Sequence, residues 1–272
     1  MTDRRLTLAN DRIADAALRG TLEAPAYAVP ERAEIAVPLA DLLNAPGGAR
    51  DRQLLLGDAF DVLERRDGFA FGRAAKDGYC GYLPEAAVRP PVGVSHWVAA
   101  PASHLYDAPK VQARNLAALA FGSRVRVLGQ IGAFAETPDG FVPAQHLQPL
   151  GRWFDDPVEV AGLFLGVPYL WGGNSHAGID CSGLVQVSHL GCGRACPADS
   201  DLQRAVGTAV GDNEPALRGD LIFWKGHVAM MVDADLMIHA TGHAMAVVVE
   251  PAADAIARIA ADGLEVIARR RP

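Results

Sequence analysis

The chain has 272 residues, a formal charge of −7 at neutral pH, 50% hydrophobic residues and 21% charged residues. It is longer than one ordinary domain needs and apolar enough to bury proper cores. Acids and bases are mixed along it with no basic stripe, which argues against a nucleic-acid or anionic-membrane binder. No apolar run approaches the roughly 18 residues of a membrane span.

The opening, MTDRRLTLANDRIADAALRG, is interrupted by charge throughout. No apolar stretch of about 7–15 residues follows Arg4 and Arg5, so we read no secretory signal. The expected location is the cytoplasm, unless the chain was cut from a precursor. Four cysteines (Cys80, Cys181, Cys192, Cys196) do not make a disulfide scaffold at this length. If Cys181 is catalytic, the three left over are an odd number, which favours reduced thiols.

Residues 1–29 read as a partly helical, peripheral segment. A weak internal repeat follows. LGDAFDVL (56–63) aligns with FGSRVRVL (121–128), matching Gly57 to Gly122 and Leu63 to Leu128. Upstream, LLNAPG aligns with LYDAPK; downstream, GYLPEAAV (81–88) aligns with GFVPAQHL (140–147). Short apolar runs between turn residues predict two small all-β units, 30–90 and 91–150. Both copies resemble bacterial SH3-like domains, which carry a Gly-aromatic-aliphatic-Pro ending, here Gly81-Tyr82-Leu83-Pro84 and Gly140-Phe141-Val142-Pro143. The alternative is two unrelated β segments with similar turns.

A third domain is expected over 151–272. Asp155 or Asp156 can cap a helix with Pro157 at its first position, and VEVAGLFLG continues it to Gly166. A glycine-rich turn leads to a second helix from about Cys181, with apolar residues at 184, 185, 187 and 190. Four β-like runs follow: LIFW, HVAMMV, LMIHA and AVVVE. The class is α+β.

Cys181 would lie in the first turn of its helix, with Asp180 at the cap. Unpaired N–H groups and partial positive charge there favour the thiolate, the reactive form. A thiolate nucleophile needs a base. His227 begins one strand and His239 ends the next, symmetric about Asp233. In an antiparallel hairpin such residues lie opposite each other on one face. His239 can then orient His227, and His227 can take the proton of Cys181. Gly172 and Gly173 let the preceding chain approach closely.

The stretches PYLWGGNSHAGIDCSGLVQ, GDLIFWKGHVAMMV and MIHATG, which cover most of 157–250, resemble NlpC-type cysteine peptidases with a papain-like core. The resemblance implies Cys181 as nucleophile, His227 as base, His239 as orienting residue and Tyr169 near the oxyanion. The SH3-like pair narrows it to peptidases that cut γ-D-glutamyl–diamino acid bonds in freed wall peptides with a free N-terminal L-alanine. By that likeness Ser182 and Asp199 hold the amine, and Asp58, Tyr79 and Tyr82 of the first SH3-like domain face the site. The family often has Glu where Asp58 stands, which shortens its reach here. The implied partner is a murein peptide, with no metal or organic cofactor.

Other readings stay open. The core also suits an amidase or acyltransferase, or the chain is a non-catalytic wall binder. Asp199 can simply cap the helix begun by DLQRAVG. Tyr79, Tyr82 and Tyr106 can simply pack within β units. His189, Cys192 and Cys196 offer three metal ligands where zinc usually takes four, which favours structural thiols. Gly172-Gly173 is no phosphate loop, since no Lys-Ser/Thr follows.

Overall fold

In the computed structural model, which describes residues 3–211 and 213–272, the chain divides into two units, 1–150 and 151–272. The first is almost wholly β. Its two halves repeat one plan. The hairpin Leu39–Leu43 with Arg50–Leu55 has a register shift between Leu42 and Leu43. The hairpin Ala102–Tyr106 with Asn115–Ala120 has one between Leu105 and Tyr106, the aligned position. Each copy ends in the Gly-aromatic-aliphatic-Pro strand and a single 3-10 turn, Glu85–Ala87 and Ala144–His146. These are two SH3-like units.

The N-terminal segment departs from expectation. Among its described residues the helical content is one 3-10 turn, Ala16–Leu18, and the segment is not peripheral. Leu8 packs with Leu63, Phe71 and Cys80 in a buried cluster. Asn10 and Arg12 both hydrogen-bond Glu64. The two halves are also joined: Arg89 donates to Glu34 and, through two nitrogens, to Asp139. Leu56 packs in the core of the second half with Val98, Leu105, Leu119, Val125 and Val142.

Gly57 makes that junction possible. Its φ is +75°, and a Cβ there would stand 2.3 Å from the Arg124 carbonyl oxygen. Gly57→Ala is therefore expected to destabilise this unit by about 1–3 kcal/mol, through strain and overpacking together. Denaturant unfolding of the full chain measures it; an unchanged midpoint would show that the junction yields freely.

The second unit is α+β. Helix α1 (Pro157–Gly162) is capped by Asp156, whose side chain accepts from the Val158 N–H, and it is shorter than the apolar pattern suggested. Helix α2 (Cys181–Gly191) and the short α3 (Ser200–Gln203) follow. A six-stranded sheet runs in the order Thr208–Ala209, Ala268–Arg271, Leu221–Trp224, His227–Met231, Leu236–Thr241, Ala246–Pro251. Helix α4 (Ala252–Ala261) packs Ala252, Ala255, Ile256 and Ile259 against Ile222, Trp224, Ala229, Met231 and Met237. Strand alternation puts His227 and His239 on that face with Ala229 and Met237, and Glu250 pairs with Met237. Among the described residues, no helix is long and apolar enough to cross a membrane.

Candidate active site

The head of α2 is built by Asp180. Its Oδ1 accepts the Gly183 N–H at 2.7 Å and the Ser182 hydroxyl at 3.1 Å; its Oδ2 accepts the Gly172 N–H at 2.8 Å. One carboxylate thus caps the helix and fastens the glycine turn to it. Gly183 and Gly173 are needed for steric reasons. A Cβ on Gly183 would lie 2.6 Å from the Gly173 oxygen, and one on Gly173 would lie 2.5 Å from the Gly178 oxygen.

Cys181 is the first helical residue and only 5% exposed. Its protonation differs from the expectation of a ready thiolate. Burial pushes the thiol up to about 12, and the adjacent Asp180 charge adds to this; the N–H groups of Val228, Ser182 and Cys181 itself pull the other way and lose. A helix N-terminus supplies roughly 0.3–2 kcal/mol toward an anion, less than removing water from a sulfur anion costs. The resting residue is a neutral thiol with three backbone N–H groups that favour its anion. Val228 is the neighbour of His227, so the sulfur sits beside the strand His227–Met231.

The two histidines do meet, though not directly across the hairpin. The ladder pairs Met230 with Ile238 and Met231 with Met237, so it is centred on Ala234 rather than Asp233. The turn sets this register: Asp233 Oδ1 accepts the N–H groups of both Asp235 and Leu236. His227 and His239 become diagonal neighbours on one face, with Nε2 of His227 2.9 Å from Nδ1 of His239. Trp224, joined to His227 through the tight Lys225-Gly226 turn, packs against the His227 ring at 5.5 Å between centroids. Burial and the neighbouring His239 push His227 down to about 3. Burial also lowers His239, against the pull of Glu250. Both imidazoles are neutral at rest.

Two further residues, not marked by any sequence motif, extend the histidine pair. His239 Nε2 lies 2.7 Å from Glu250 Oε1, and Arg258 of α4 donates to both Glu250 oxygens, at 2.7 and 2.5 Å. The signal was faint: one acid ending an apolar strand, and one arginine in the helix that follows.

Tyr169 is half-buried, held by its N–H to the Met245 carbonyl and by a bridge to Ile179. Burial, then the Cys181 and Asp180 charges, push its hydroxyl up, so it remains a donor. Ser182 is buried and spends its hydroxyl on Asp180. Asp199 occupies the N-cap position of α3, yet its side chain makes no capping bond there; its backbone oxygen accepts from Leu202 and Gln203. The fully buried Gln203, also missed, donates to the Ser182, Pro197 and Ala198 carbonyls. It thereby ties the loop before Asp199 to the head of α2.

Asp58, Tyr79 and Tyr82 belong to the first unit. Asp58 is 3% exposed and engaged by Lys76 Nζ at 2.6 Å and the Leu55 N–H at 3.0 Å. Burial opposes its charge, but Lys76, Arg124 and the Leu55 N–H outweigh it and hold the carboxyl below its usual range. Tyr79 is buried under the Arg52 guanidinium. Tyr82 stacks on Phe71 at 4.7 Å, beside a cavity of about 180 Å³ that Arg12, Glu64 and Phe69 also line. Tyr106 packs edge-on against Phe134. All four cysteines are free thiols, and among the described residues no three His, Cys, Asp or Glu side chains converge as a metal site, His189, Cys192 and Cys196 included.

Comparison with known proteins fits this geometry. Residues 166–258 match the NlpC/P60 family, and residues 42–88 match the bacterial dipeptidyl-peptidase SH3 domain. A γ-D-glutamyl-L-lysine dipeptidyl-peptidase of Bacillus cereus is 42% identical over 93 residues, 31% of this chain and 28% of that protein. Dipeptidyl-peptidase 6 of Lysinibacillus sphaericus is 32% identical over 98 residues, 36% of each chain. The aligned stretches thus span about a third of these relatives' own length. The crystal structure of an NlpC/P60 family protein from Bacillus cereus superimposes with a TM-score of 0.75 at 23% identity, covering 89% of this chain and 99% of that one, which shows a shared fold. The chain thus carries an NlpC/P60 family domain over 166–258, preceded by a bacterial dipeptidyl-peptidase SH3 domain over 42–88.

Proposed function

We propose that the protein is a cysteine peptidase that hydrolyses the γ-D-glutamyl–diamino acid bond of wall peptides bearing a free N-terminal L-alanine, in peptidoglycan turnover or recycling. The observation that carries the reading is the His227–His239 pair, Nε2 to Nδ1 at 2.9 Å, together with the Cys181 sulfur facing the N–H of Val228, the residue after His227. The names of the similar dipeptidyl-peptidases and the SH3 domain ahead of the row support the substrate class.

The chemistry follows from the groups present. The Cys181 sulfur attacks the γ-carbonyl carbon of D-glutamate while His227 takes the thiol proton. The tetrahedral oxyanion takes hydrogen bonds from the Cys181 N–H and the Tyr169 hydroxyl. His227 passes its proton to the leaving amine, the C–N bond breaks, and a thioester remains. Water, deprotonated by His227, attacks the thioester and frees L-Ala-D-Glu and the thiol.

Asp199 is the proposed partner of the substrate ammonium, with Ser182 beside it. A carboxylate facing an ammonium in a partly dry pocket forms a charge-assisted hydrogen bond of about 1.5–3 kcal/mol. Asp199→Asn should then lower kcat/KM for the free-amine peptide roughly 10- to 150-fold. The test offers L-Ala-γ-D-Glu-diamino acid and its N-acetylated twin to both proteins, with products identified by mass. Wild type should prefer the free amine strongly, and Asp199→Asn should shrink that preference. Equal cleavage of the acetylated peptide by wild type would replace this reading with a general wall endopeptidase.

A further inference from the structure

The row does not end at His239. A neutral imidazole has one N–H and one bare nitrogen, and its neighbours decide which is which. Glu250 is gripped by both terminal nitrogens of Arg258, at 2.7 and 2.5 Å. That grip, against the effect of burial and with help from His239, holds the carboxyl down at about 2. It is an acceptor only. His239 Nε2, 2.7 Å away, must therefore carry the proton, which leaves Nδ1 of the neutral ring bare. That bare nitrogen faces His227 Nε2 at 2.9 Å. Two lone pairs cannot share that distance, so His227 Nε2 carries its proton and its Nδ1 is bare.

We propose that Glu250, clamped by Arg258, is a positioning residue that fixes the tautomers of both histidines and so leaves His227 Nδ1 free to accept the Cys181 proton. This rests on the reading of Cys181 as nucleophile and His227 as its base. The carboxylate has a second effect. Its charge also favours protonation of His227, against burial and the neighbouring His239 and Arg258, so it stabilises the imidazolium that forms during transfer.

A purely structural role is the rival: the ion pair would only pin α4 to the strand Ala246–Pro251. Glu250→Gln separates the two. With Arg258 still donating to the amide oxygen, the Gln NH₂ turns to His239 Nε2, which must then be bare. Both tautomers reverse, and His227 Nδ1 acquires the proton that blocks it.

The full chain is compared as wild type, Glu250→Gln and Glu250→Asp. Two readouts need no wall peptide. One is the rate of iodoacetamide alkylation at Cys181 across pH 5–9, followed on its own peptide by mass. The other is the ¹⁵N spectrum of labelled histidines, which reports which ring nitrogen is protonated. For Glu250→Gln we expect alkylation at pH 7 to fall roughly 10- to 100-fold and the His227 Nδ1 signal to move from bare to protonated. Glu250→Asp, which keeps the charge, should recover much of both. Unchanged tautomers with alkylation within about twofold of wild type would overturn the proposal, whatever happens to thermal stability. Failure of wild type on every wall peptide, with the tautomer switch intact, would sink the substrate reading and leave this one standing. Wild-type cleavage with unmoved tautomers in Glu250→Gln would do the reverse.

Discussion

Cys181→Ala should yield a folded protein that binds its peptide and does not turn it over. The substitution removes one sulfur from a small, nearly buried side chain at the first position of α2. The cap that builds this helix start is Asp180 with the Gly183 and Gly172 N–H groups, none of which involves the sulfur. The effect on folding should therefore be modest, about 1 kcal/mol or less for so small a truncation. The chemistry has no substitute. The Ser182 hydroxyl is spent on Asp180, and of the three remaining thiols Cys80 and Cys196 are buried while Cys192 caps the opposite end of α2. Turnover should fall at least about 10⁴-fold while Kd moves by no more than a few-fold. Steady-state hydrolysis and direct binding on the same preparation check both. A folded variant that still hydrolyses would end the nucleophile assignment. One that neither binds nor folds would show that the sulfur holds α2 in place.

The head of α2 is legible in the sequence because its chemistry is local. An Asp before Cys-Ser-Gly is a cap, and apolar residues at 184, 185, 187 and 190 are one face of a helix. The strands were readable for a similar reason: LIFW and HVAMM are apolar runs around a Lys-Gly turn. What failed were quantities that depend on partners distant in sequence. The hairpin register follows from Asp233 bonding two N–H groups inside its own turn, which symmetry about the turn does not reveal. The sign of the Cys181 shift follows from burial, which outweighs the helix end and is set by how the unit packs. Glu250 and Arg258 are separated by eight residues and sit on different elements, so no spacing rule links them. Helix α4 was a different failure. Ala252, Ala255, Ile256 and Ile259 show helical spacing, but the many alanines gave a weak stripe behind a stronger β pattern. The N-terminal segment misled because its charges look solvent-facing, whereas Arg12 and Asn10 reach Glu64 and Leu8 fills a core.

His227→Ala should be nearly as damaging as loss of the sulfur, and its residual activity should carry a signature. With the base gone, only the thiol fraction already ionised can attack. Burial places that thiol at about 12, so at pH 7 roughly one molecule in 10⁵ is reactive. The remaining kcat/KM should rise about tenfold per pH unit between 5 and 7, because each unit multiplies the thiolate tenfold. Wild type should be flat over that range: its neutral thiol and its neutral imidazole, pushed down to about 3, both titrate outside it, and the substrate ammonium, which titrates at about 8, stays charged. His239→Ala should lie between the two, since it removes the group that orients the base and leaves the base itself. A second readout is acid stability. His227 has its folded pKa below the unfolded value of about 6.5, so burying it neutral stabilises the fold above that pH and less as pH falls toward 3. Removing the ring removes that sensitivity, and His227→Ala should lose less thermal stability than wild type between pH 7 and 4. A residual rate as flat with pH as wild type would mean that some group other than His227 takes the Cys181 proton, and the order of the row would have to be redrawn.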